Sequence, residues 1–171
     1  MDIELAKKIG RIKSLKSATI GVILIYIIFV IGADKEGFAY SLFWVFTYQY
    51  RINILIGILI FYFFAYIVGG KAGYEILIEK KRWYKLLGIK HAMFVLLITA
   101  FLFGWTGYFQ EGLSVPEIFS DASTEFIEEY KAQQEPFYDY VFKPFFWITL
   151  VGSIPAVIVG MFFGRSIKKS L

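Results

Sequence analysis

Four charge-free, continuously apolar runs divide the chain, at residues 17–33, 52–70, 91–110 and 144–164. Each meets the roughly 17 to 25 residues that a helix needs to cross about 30 Å of hydrocarbon. In lipid every backbone polar group must be satisfied internally, which leaves helices and closed barrels. The apolar positions here run on without the polar alternation of barrel strands. The pattern predicts an all-α integral membrane protein, a bundle of four transmembrane helices forming one membrane domain over residues 1–171. Composition agrees: 58% of the residues are hydrophobic and 20% aromatic, and the mean hydropathy is +0.61. Only 19% are charged, against about 25% in an average soluble chain.

Lysine and arginine placement predicts the orientation. Of the 18 basic residues, 14 fall in the N-terminal segment, in the loop at residues 71–90 and after residue 164. The loop at 111–143 carries eight of the acidic residues. By the positive-inside rule both termini and the 71–90 loop are cytoplasmic, and the 111–143 loop is outside. So marked a contrast suits a bacterial inner membrane. The first apolar run could instead belong to a cleaved signal peptide, but 16 residues ahead of it are long for such a leader, and an uncleaved span is the expectation.

Between the spans, residues 2–16 place Leu5, Ile9, Ile12 and Leu15 at helical spacing, with Lys7, Lys8, Arg11 and Ser14 largely off that stripe. This predicts a basic amphipathic helix lying on the inner leaflet. Residues 37–50 are uncharged and half aromatic; a second interfacial helix at the outer surface is preferred over a re-entrant segment. In the outer loop Ser114, Pro116 and Glu117 form a capping box, predicting a helix to about Lys131. Glu117, Asp121, Glu125 and Glu128 make its acidic face.

Little in the sequence offers chemistry. There is no cysteine and one histidine, His91, which excludes disulfides, thiolate nucleophiles and most zinc sites. No ionisable residue interrupts the apolar runs save His91 at an inner end, which argues against a proton-coupled transporter built from one chain. No enzyme activity, cofactor or metal is expected. Two features remain. Gly152, Ala156, Gly160 and Gly164 in the fourth run, and Ala65, Gly69 and Gly73 in and after the second, recur every four residues. Such stripes let backbones approach closely, within the chain or between copies in a homo-oligomer. Pro155, between them, predicts a kink eased by Ser153. The second feature is the cluster Lys80, Lys81, Arg82, Trp83 and Lys85 in the inner loop, where basic residues gain about 1 kcal/mol each from anionic lipid.

These features point to a non-catalytic polytopic subunit that recruits or signals to a cytosolic protein through its basic inner face, in contact with anionic lipid. An oligomeric pore or transporter component is one alternative. An immunity-type protein acting through the acidic outer loop is another. Direct binding of nucleic acid is not expected.

Overall fold

Continuous apolar sequence in lipid closes its own hydrogen bonds, and each of the long apolar runs falls for most of its length in a helix. The computed structural model describes residues 2–32, 51–79, 82–109, 135 and 137–170. Its elements are α1 (Ile3–Gly32), α2 (Arg51–Leu77), α3 (Tyr84–Gly107) and α4 (Lys143–Lys168), the last entered through a π-helical turn, Tyr138–Phe142. Three helical stretches among the described residues are long and apolar enough to cross a membrane: Ile54–Leu77, Tyr84–Gly107 and Tyr138–Lys168.

Successive helices run antiparallel. Ala6 packs on Gly73 and Ser14 on Gly69, so rising numbers in α1 meet falling numbers in α2. Likewise Gly57 faces Phe103 across α2 and α3, and Gly164, Gly160 and Gly152 face Tyr84, Gly88 and Leu96 across α4 and α3. The α1–α2 and α3–α4 interfaces are the most extensive; α2–α3 and α1–α4 contacts join the two hairpins into a ring of four.

Side-chain size is distributed inside out. Ala18, Ala65, Ala72 and Ala100 are buried, while Leu55, Leu59, Phe63 and Ile67 of α2, and Trp147, Leu150 and Ile154 of α4, are exposed. A bundle in water buries its largest apolar residues. In lipid the hydrocarbon already solvates them, and small residues go inside because close backbone packing replaces the missing hydrophobic drive.

The glycine stripes make this packing possible. A Cβ on Gly10 would strike the Gly69 carbonyl and lie 2.7 Å from the Gly73 Cα. Across the other hairpin, a Cβ on Gly88 would strike the Gly160 carbonyl, and one on Gly160 would lie 2.7 Å from the Ile89 Cα. Both stripes seen in the sequence are thus occupied within one chain, and a homo-oligomer would have to use other faces.

Two expectations change. The amphipathic segment at residues 2–16 is no separate in-plane helix: it is the first half of α1, whose 30 residues span about 45 Å at 1.5 Å per residue. The expected inner loop at 71–90 is mostly helix, since α2 runs on to Leu77 and α3 starts at Tyr84. Pro155 lies inside the continuous α4, where the Ser153 hydroxyl donates to the Leu150 carbonyl and Val151 loses the donor that proline removes. The interfacial helix expected at 37–50 and the capped helix from Ser114 lie outside the described residues.

Candidate functional site

The antiparallel ring brings the start of α1, the end of α2, the start of α3 and the end of α4 to one end of the bundle. That end gathers Lys7, Lys8, Arg11, Lys71, Arg82, Lys85, Arg165, Lys168 and Lys169 from four separate stretches of chain. Beneath it lies a buried apolar cluster of Ala6, Ala72, Ile76, Leu77, Phe163 and Ile167.

Of the inner-loop cluster, Arg82, Trp83 and Lys85 are described and all are exposed, Trp83 at 72% and the neighbouring Leu86 at 56%. Lys80 and Lys81 lie outside the described residues, as do Glu117, Asp121, Glu125 and Glu128. A large indole and a leucine between cations make a surface that is both apolar and positive, held on the first turn of α3.

The opposite end is aromatic. Tyr138, Phe142 and Phe146 stack at four-residue steps, and Trp105 packs edge-on against Tyr108 and Phe137. Amphipathic rings of this kind settle at the boundary between hydrocarbon and water.

One polar feature escaped the sequence reading. Glu75 and His91 are 6% and 5% exposed, and His91 Nε2 lies 3.4 Å from Glu75 Oε2. The sequence placed Glu75 in a loop because Lys71 ends the charge-free run. The signal that would have found it is the stripe Ala65, Gly69, Gly73, which extends through Ala72 and Ile76 and so carries the buried helix face past Gly70. His91, at the inner end of its apolar run, is buried between the helices.

His91 also borders a cavity of about 70 Å³ between all four helices, lined by Ser14 and Gly21 of α1, Ala65 of α2 and Gly152 of α4. By volume it would hold a few waters, but its lining is chiefly apolar, which favours a dry void. Glu75 fixes one ring nitrogen of His91 at the edge of this void. The contact ties α2 to α3 in surroundings where a polar interaction is stronger than in water and its loss costs more. Among the described residues no three His, Asp or Glu side chains converge to hold a metal ion.

Comparison with known protein families, with curated proteins and with solved structures finds no significant match.

Proposed function

We propose that this chain is a non-catalytic, four-span inner-membrane protein, with both termini cytoplasmic, that recruits a cytosolic partner to an anionic membrane surface. The observation that carries this reading is the gathering of basic residues at one end of the bundle, around the exposed Trp83 and Leu86. Positive-inside placement turns that end toward the cytosol. An anionic leaflet attracts the cations, and an exposed indole beside an arginine is a pairing enriched in protein contacts. The second half of α1, with Ile20, Ile23 and Ile27 exposed, serves as the fourth span. Homo-oligomerisation is no part of the proposal, because the stripes that suggested it are filled within the chain.

Reporter fusions and a charge variant test this. Fusions after residues 16, 85 and 171 should read cytoplasmic and one near residue 125 periplasmic. A chain with Lys80, Lys81 and Arg82 changed to Gln should still insert, held by the remaining cytoplasmic cations. It should lose its soluble partner in a salt-dependent way, since exposed charges are screened beyond about 8 Å at physiological ionic strength. A periplasmic signal at residue 85, or an unchanged set of co-purifying proteins, overturns the reading.

A second reading is favoured by the Glu75–His91 pair beside the central cavity. Ionisable pairs inside spanning helices often mark ion or proton paths, and on this reading the chain is a transport component. Ion or proton flux in proteoliposomes that disappears on Glu75→Gln would support it; no flux above that of empty liposomes would end it. The immunity reading rests on the acidic outer loop, whose face of Glu117, Asp121, Glu125 and Glu128 lies outside the described residues.

A further inference from the structure

Beside the α1–α2 crossing, a crevice on the bundle surface is bordered by Glu4, Leu5, Lys8, Arg11, Ile12 and Tyr66. Arg11 lies across α2 there. A Cβ on Gly70 would come 3.1 Å from its Nε, so the missing side chain is what lets the arginine stem lie flat. The guanidinium carbon then sits 4.9 Å from the Tyr66 ring centroid, a cation–π arrangement that holds its plane in one orientation. Its Nε is closed off against α2, so the rest of the guanidinium borders the crevice, and a guanidinium fork matches the oxygens of carboxylate and phosphate.

The depth of this arginine is informative. Arg11 packs at the level of Gly70, where the charge-free stretch of α2 ends and Lys71 begins. A first cation after a long apolar run is where a helix is expected to meet the headgroups. Deeper along α2, Phe63 and Leu59 continue from Tyr66 as an exposed apolar stripe, and Ile12 is exposed on α1. Glu4 is the one acid on the rim, and Lys7 engages it at 3.1 Å, so its charge is compensated and Lys8 and Arg11 set the sign of the crevice.

We infer that this crevice binds an anionic phospholipid, with the headgroup phosphate on Arg11 and Lys8 and an acyl chain along Phe63 and Leu59. Charge complementarity, headgroup depth and the adjoining apolar stripe together select a lipid over a free anion. The inference does not depend on which side of the membrane the basic end faces.

The test uses the full chain in nanodiscs of phosphatidylcholine with a minor fraction of phosphatidylglycerol, released into detergent and examined by native mass spectrometry. The wild type should retain phosphatidylglycerol above its bulk fraction. Arg11→Gln should lower that retention about five- to tenfold, the loss of one cation with oriented hydrogen bonds. Tyr66→Phe keeps the ring and should bind as wild type; Tyr66→Leu should bind more weakly. Lys143→Gln, at the far end of the bundle, should change nothing, and a matching thermal transition for Tyr66→Leu and Tyr66→Phe separates lost binding from lost fold. Equal retention of phosphatidylcholine, undiminished binding by Arg11→Gln, or displacement of the lipid by inorganic phosphate at equal concentration would overturn the assignment.

Discussion

His91 Nε2 and Glu75 Oε2 stand 3.4 Å apart in the interior, joining α2 to α3 near the basic end of the bundle. The two residues flank the α2–α3 turn, so the contact closes the hairpin that presents Trp83. Helix α3 thus carries a buried polar contact at His91 and, at its start, the exposed Trp83 and Leu86.

Replacing either member alone should loosen that hairpin. Glu75→Leu leaves the His91 ring nitrogen buried without its partner, at a cost of about 1–3 kcal/mol. His91→Leu takes the histidine contact from the buried Glu75 carboxylate, at a similar cost of about 1–3 kcal/mol. The double variant should recover much of the loss, because both polar groups are gone. Thermal unfolding in detergent measures this; losses that simply add would show that the two side chains are not coupled.

Gly160→Leu should destabilise the single chain rather than dissociate an assembly. Its Cβ alone would lie 2.8 Å from the Gly88 carbonyl oxygen, so a branched side chain must push α4 off α3, at a cost of about 3 kcal/mol, the upper range for overpacking. The transition should fall by the same amount at low and high protein concentration. A shift that grows on dilution would mean that the stripe also joins copies.

Gly21 provides the contrast. It lines the central cavity, and a Cβ placed there meets nothing within 4 Å. Gly21→Ala should therefore raise the melting temperature, by removing a helix-interior glycine worth up to about 1 kcal/mol and covering part of the void. A lower melting temperature would show that the cavity is needed open.

The helices could be read from the sequence because lipid imposes a length on them: each apolar run falls for most of its length in one. Their ends could not, because positions such as Glu75 and Lys71 look like loop by charge alone, while the buried face continues beneath them through Ala72 and Ile76. The stripe of Gly152, Ala156, Gly160 and Gly164 was legible as a packing surface. What it packs against was not, since Gly88 and Ala92 sit in a stretch whose charges drew attention first. In α1 the larger apolar residues Leu5, Ile9, Ile12 and Leu15 masked the face that is in fact inside, Ala6, Gly10, Ser14 and Ala18. Along this face of α1 the small residues mark the interior and the large ones the exterior, the reverse of the cue that serves for soluble helices. The basic cluster was legible as a surface, and the fold adds that four separate stretches of chain build it.

The measurement that bears most directly on recruitment is photocrosslinking in intact cells from a single unnatural side chain at position 83. Trp83 is exposed, so the substitution leaves the interior untouched. The account predicts a crosslink to one soluble cytosolic protein, lost when Lys80, Lys81 and Arg82 are changed to Gln and retained when Lys143 is. Crosslinks to lipid alone, or to a periplasmic protein, would contradict it.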